Sequence, residues 1–306
     1  MASTIASPSR RKTGFSATRR QDLFFGLLFA SPFILGVLIF WIGPMLYSVF
    51  LVSQDWNLIK APKFIAFGNF ERLFRDPMVL QSLKVTAYFT FVGVPLQLLT
   101  AFCLALMLNR PIRAQGIYRT LYYLPAITPA VASAVVWVQI LNPEAGILNA
   151  ILGMFGVAPV KWLFDPVAVI PAFILMSLWF VGPQMIIFLA GLQGVPKELT
   201  EAADIDGANT WRRFWNITVP MVSPIIFFNL VVGIIGTFQV FTQSFVMTRG
   251  GPQDQTRFMA LYIYQNGFEY FRMGYAALLS WVIFMIVLFF TIIQFRLATN
   301  WVFYDR

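Results

Sequence analysis

Six stretches of this chain are long and apolar and hold no Asp, Glu, Lys or Arg in their interiors: residues 23 to 52, 85 to 108, 119 to 141, 167 to 193, 217 to 245 and 273 to 295. A helix needs about 20 apolar residues to cross a hydrocarbon layer. Inside that layer each backbone N–H and C=O must be satisfied by the segment itself. The pattern dictates an all-α membrane protein with six transmembrane helices. Composition agrees, with 58% hydrophobic and 11% charged residues among 306, against about 25% charged in soluble domains. The chain has no His and one Cys, Cys103, within the second stretch. Neither a disulfide framework nor a Cys/His metal site can be assembled, and no metal or cofactor is expected.

Basic residues set the orientation. The N-terminal segment carries Arg10, Arg11, Lys12, Arg19 and Arg20, and the short loop after the second stretch carries Arg110, Arg113 and Arg119 with no acid. Both are expected in the cytoplasm. Six crossings then place residues 197 to 216 and the C-terminus, with Arg296 and Arg306, on the same side, and residues 53 to 84, 142 to 166 and 246 to 272 outside. Residues 1–22 form a basic tail expected to be disordered beside anionic lipid headgroups. The net charge of +9 therefore calls for no nucleic-acid partner. The tail is not expected to be a cleavable signal peptide, since the apolar run after it is too long and lacks a small-residue cleavage site.

One cytoplasmic segment departs from this basic background. Residues 197 to 216 read KELTEAADIDGANTWRRFWN and hold Glu198, Glu201, Asp204 and Asp206. Pro196 is a good first helical residue, and Gly207 is the residue type that closes a helix in the left-handed conformation. Leu199, Ala202, Ala203 and Asp206 recur at helical spacing and form a small, shallow face. A second short helix is expected after it, capped by Thr210 and bearing Arg212, Arg213 and Phe214. Anionic lipid repels such an acidic cluster, so its expected counterpart is a protein groove with basic or hydrogen-bond-donor groups.

Through Pro224 the segment reads EAADIDGANTWRRFWNITVPMVSP. It resembles the EAA loop of ABC importer permeases, with Glu201, Ala202, Ala203, Gly207, Ala208, Phe214, Pro220 and Pro224 at the recurring positions and Val219 where Leu is usual. The likeness extends to FGNFERLF (67 to 74), IYRTLYYLPAITPAVASAVVW (117 to 137), AGLQGVPKELTEAADIDGA (190 to 208) and VMTRGGPQDQTRFMALYIYQNGFEYFRMGYAA (246 to 277), which is similar to the carbohydrate-type permeases. Arg249 stands there where a small residue or Asn is more usual. The resemblance implies the type I importer permease fold over residues 23–306, with about 82–296 as its core module and the EAA loop at 197–224. It implies that Glu201, Ala202, Ala203, Asp206, Gly207, Ala208 and Phe214 couple to a separate ATPase. It also implies a second permease subunit, two cytoplasmic ATP-binding subunits, an extracytoplasmic solute-binding protein, and residence in a bacterial or archaeal cytoplasmic membrane with both termini inside.

The residues themselves bear on energy and cargo. None of the six lysines follows a glycine, so the chain has no phosphate-cradling loop and is not expected to hydrolyse nucleotide. Charged residues such as Asp22, Lys84, Arg272 and Arg296 lie only at span ends, which argues against proton coupling. Sodium coupling through carbonyls freed at Pro95, Pro171 or Pro183 stays open, and with it a secondary transporter or channel as the alternative reading. No constellation for catalysis is visible, and the 142 to 166 loop is too short for a sizeable receptor domain. An ionic cargo calls for a countercharge; a neutral sugar or polyol needs amides, hydroxyls and flat apolar surface. The fifth stretch supplies Asn229, Gly233, Gly236, Thr237 and Gln243 at steps that share a face, and the fourth supplies Trp179 and Gln184. These are the candidate pathway residues. The alternative for each is that it only joins helices.

Overall fold

A computed structural model describes residues 17–303. Most of the expected basic tail lies outside the described residues, as does Arg306. From Ala17 the backbone is already helical, so the first span begins earlier than expected. α1 (Ala17–Val37) runs through a π-helical turn at Leu38–Ile42 into α2 (Gly43–Val52). No residue from Arg20 to Phe50 is buried, and only α2 is packed firmly, against the last helix of the chain. A short antiparallel pair follows, β1 (Gln54–Asp55) on β2 (Lys63–Phe64), with Gln54 opposite Phe64.

α3 (Gly68–Arg75) leads into α4 (Pro77–Leu108), which starts before the expected residue 85. Asp76 caps it by accepting a hydrogen bond from the Met78 amide at 3.0 Å, and Pro77 occupies the first turn, where its missing N–H costs nothing. α4 is the central mast of the bundle. Its first half packs with the helices of the third and fourth spans around Val85, Phe89, Trp137 and Phe173. Its second half packs around Ala101, Ala105, Met185, Phe188 and Val222. Ala101 and Ala105 are fully buried, the small-residue contact by which helices in lipid approach closely.

The third and fourth spans are not straight rods. The third is α5 (Gln115–Ile127) and α6 (Ala130–Ile140), bent by 101°. Pro129 at the bend lacks an amide and pushes Thr128 into extended geometry, with ψ at 132°. α7 (Ile147–Met154) follows and packs on α6. The fourth span is α8 (Val169–Leu178) and α9 (Gly182–Gln193), bent by 47° just before Pro183. Of the three prolines read as possible breaks, only Pro183 adjoins one. Pro95 and Pro171 sit inside unbroken helices.

α10 (Lys197–Ile205) and α11 (Thr210–Arg213) form the polar loop, followed by a π-helical turn at Phe214–Thr218 and α12 (Val219–Phe238). α13 (Thr242–Met247) and α14 (Met259–Tyr264) come next, and α15 (Met273–Ala298) is the last span. Among the described residues four helical runs are long and apolar enough to cross a membrane, and six if each bent pair is one crossing. The start of α4 is stitched to α14 and α15 by Asp76, which accepts from the hydroxyls of Tyr262 at 2.5 Å and Tyr275 at 2.7 Å, while the Arg72 guanidinium lies 4.9 Å from the Tyr275 ring centre.

Candidate functional site: a projecting loop and a bundle cavity

The polar loop is built around a helix closed as its sequence predicts. Pro196 is the N-cap of α10, one residue before the helix proper. At the other end Gly207 has φ +73°, the Gly207 amide bonds the Asp204 carbonyl at 3.1 Å, and the Ala208 amide bonds the Ala203 carbonyl at 2.9 Å. This pair of bonds is the Schellman motif, which satisfies two orphan carbonyls and turns the chain sharply. A Cβ on Gly207 would meet nothing within 4 Å, so the glycine is there for its backbone angle and not for space. The cap of α11 is Asn209, whose side chain accepts from the Arg212 amide at 2.8 Å. Thr210, the expected cap, is instead the first helical residue.

The four acids do not act alike. Asp204 is tied to Arg213 within the loop, and Asp206 lines a small recess with Arg212, Arg213 and Ala203. Glu198 and Glu201 remain exposed, together with Ala202. The most prominent apolar group is Ile205, 87% exposed on an otherwise polar helix, and Leu199 is also exposed. The sequence reading passed over Ile205; its signal was an isolated aliphatic residue one position before the C-cap of a charged helix. Behind the loop opens a recess of about 1160 Å³ that includes Arg110, Lys197 and Arg213. The outer face of α10 is thus acidic and the space behind it basic.

Phe214 does not belong to the projecting surface. It is half-buried, stacks on Trp211 and meets Trp215 edge-to-face, with its ring 6.1 Å from that of Phe102 on α4, which in turn meets Phe188 on α9 at 5.3 Å. Phe214 roots the loop in the bundle. Ala203 is also half-buried, against the loop interior, and Ala208 supplies the Schellman amide.

The second site is a cavity of about 180 Å³ beside the break in the fourth span. Of the seven candidate pathway residues, Gln184, Thr237 and Gln243 line it. The other four do not. Trp179 packs edge-to-face on Trp137 at 5.5 Å, and buried Asn229 donates to the Ile225 carbonyl of its own helix at 3.0 Å. Gly233 faces Val94, where a Cβ would come within 3.1 Å, so it serves helix packing; Gly236 has open space beside it. The walls that the sequence reading missed are Phe89, Phe173, Phe180 and Gln97. Gln97 was the visible clue, an amide in the middle of a 32-residue apolar helix.

The polar groups are arranged with spare capacity. The Gln97 amide donates to the Ser177 hydroxyl at 2.9 Å, and that hydroxyl donates to the Ile174 carbonyl at 2.6 Å. The Gln184 Oε1 is buried and has no hydrogen-bond partner, an acceptor that an incoming hydroxyl would satisfy. No ionisable side chain lines the cavity. Among the described residues no group of three His, Cys, Asp or Glu comes together to hold a metal ion.

Residues 93–300 match the family model described as binding-protein-dependent transport system inner membrane component. The chain is 42% identical over 295 residues to the probable ABC transporter permease protein YesP of Bacillus subtilis (strain 168), covering 95% of each. It is 34% identical over 293 residues to the lactose transport system permease protein LacF of Rhizobium radiobacter, covering 94% of this chain and 98% of the relative. A solved structure of a bacterial ABC transporter involved in the import of the acidic polysaccharide alginate superimposes with a TM-score of 0.76 at 26% identity, over 93% of this chain and 99% of that one.

Proposed function

Since the chain belongs to the binding-protein-dependent transport system inner membrane components, we propose that it forms one half of the translocation pathway of a sugar importer, paired with a second permease. Two cytoplasmic ATP-binding subunits supply the energy, and an extracytoplasmic solute-binding protein delivers the cargo. Both termini and the α10–α11 loop lie in the cytoplasm of a bacterial or archaeal cell. The observation that carries this reading is the loop: a Schellman-closed helix with Ile205 projecting between Glu198, Glu201 and the turn at Gly207. An exposed aliphatic anchor ringed by acids is a surface for a protein groove and not for anionic lipid.

In this scheme closure of the ATPase pair draws α10 with it. The turn at Gly207 and the Asp204–Arg213 bridge hold α10 to α11, so the two move as one piece. The Phe214, Phe102 and Phe188 contacts then carry the displacement to α4 and α9, the helices flanking the cavity. Glu201 makes a polar contact with the ATPase subunit, and Gly207 sets the angle at which α10 leaves the bundle.

The cargo is a neutral sugar. The named relatives handle lactose and an acidic polysaccharide, so the family tolerates both kinds. The cavity favours the uncharged kind, because phenyl walls can stack on sugar C–H faces, three glutamine amides can read ring hydroxyls, and no cation is present to balance an acid. At about 180 Å³ it is large enough for several waters, and so for a small polar solute.

The test is uptake by vesicles holding both permeases, the ATPase and the binding protein. ATP-dependent accumulation is expected, with a cysteine at Ile205 cross-linking to the ATPase subunit. Accumulation by this chain alone, or without ATP, overturns the assignment.

A further inference from the structure

We propose that the recess between the inner end of α4 and the start of α5 is a binding site for an anionic phospholipid. The inference rests on the topology given above, which puts this recess at the cytoplasmic leaflet. The recess measures about 500 Å³. Its lining combines the aliphatic Leu104, Met107, Leu108 and Ile112 with Arg113, Tyr118 and Tyr122. Such a lining offers a lipid both apolar surface for its chain and a guanidinium for its phosphate.

Two further observations point to an anion. The sequence holds no carboxylate between Asp76 and Glu144, while Arg110, Arg113 and Arg119 lie close together in it. Among the described residues the ion pairs use Arg75, Arg213 and Arg257, so these three arginines are left uncompensated. Arg119 Nε is buried and has no hydrogen-bond partner.

The turn that presents Arg113 is also held in place. Ala114 takes φ +59°, the Gln115 side-chain amide donates to the Leu108 carbonyl, and the Ile117 amide bonds the Ala114 carbonyl at 2.9 Å. A non-glycine residue in that region is uncommon and costs free energy. A free phosphate would use the guanidinium but leave the aliphatic lining unused. A phospholipid uses both.

The experiment takes the assembled transporter, permeases with ATPase subunits, into nanodiscs of equal phosphatidylglycerol and phosphatidylcholine, and counts retained lipids by native mass spectrometry. Retained phosphatidylglycerol is expected to exceed phosphatidylcholine about tenfold. Arg113→Gln should abolish that preference, Arg113→Lys should keep most of it, and Met107→Trp, which fills the recess, should lower retention of both lipids. Equal retention by the wild type, or unchanged retention in Arg113→Gln and Met107→Trp, overturns the proposal. So does a Met107→Cys variant, made with Cys103→Ser, that cross-links efficiently to the second permease, because the recess is then covered by protein. Retention is read by mass and not by uptake, so loss of the lipid site leaves the importer reading standing, and failure of import leaves the lipid result intact.

Discussion

Gly207 illustrates a residue fixed by backbone angle alone. Its φ of +73° costs an L-residue about 1–2 kcal/mol, and its Cβ space is open. Gly207→Val should therefore cut ATP-driven uptake at least tenfold while membrane insertion is unchanged. Gly207→Asn, a residue type that enters this region more readily, should retain most of the activity. Equal loss in both variants would mean that side-chain bulk, and not conformation, is what the site rejects. In the cavity, Gln184→Leu removes the orphan acceptor at similar volume. It should raise the KM for sugar uptake severalfold and leave ATPase coupling intact, measured by uptake at graded binding-protein concentrations. The sequence exposed the glycine and the glutamine because each is a chemical exception in its surroundings. It could not separate Gln184 from Asn229: both are amides in apolar helices, and only packing shows that Asn229 bonds its own backbone while Gln184 does not.

Elements meet where side chains are smallest or best paired. A Cβ on Gly274 would overlap the carbonyl oxygens of Gln54 and Leu51, so the start of α15 lies directly on the end of α2. Gly274→Ala should lower stability by about 3 kcal/mol, the upper end for overpacking, read as an earlier thermal transition in detergent. Asp76 ties the cap of α4 to α14 and α15, and Asp76→Ala leaves two buried hydroxyls without an acceptor. That should cost about 3 kcal/mol and open the loops around α14 to protease. Burial foremost, and then the bond to Asp76, pushes the Tyr262 hydroxyl up to about 12. Because the folded state holds this proton more tightly than the unfolded chain, the stabilisation is complete below about pH 10 and is lost as pH rises toward 12. A Tyr262→Phe variant should lose less stability than the wild type between pH 10 and 12. The number and order of the apolar spans were legible from hydropathy, whereas the early starts of α1 and α4 and the 101° bend of the third span were not. Hydropathy counts apolar residues and is blind to direction, and of two nearby prolines, Pro125 stays within helix while Pro129 ends one.

At the scale of the whole molecule, α4 lines the cavity with Phe89 and Gln97 and meets the root of the loop through Phe102, so cargo space and docking surface share one support. The fold class followed from apolar length, and the loop from its charge and its glycine. The cavity walls came only with the three-dimensional arrangement, since Phe89, Phe173 and Phe180 read in sequence like any lipid-facing phenylalanine. The opening stretch of the chain is loosely packed: no residue from Arg20 to Phe50 is buried. A helix with so little stake in its own bundle behaves as a modular graft: removal or exchange of the residues before Gly43 should leave the remaining spans with nearly the same melting temperature. Evolution is then free to lengthen, replace or retarget that leading rod for each new assembly without redesigning the conduit it accompanies.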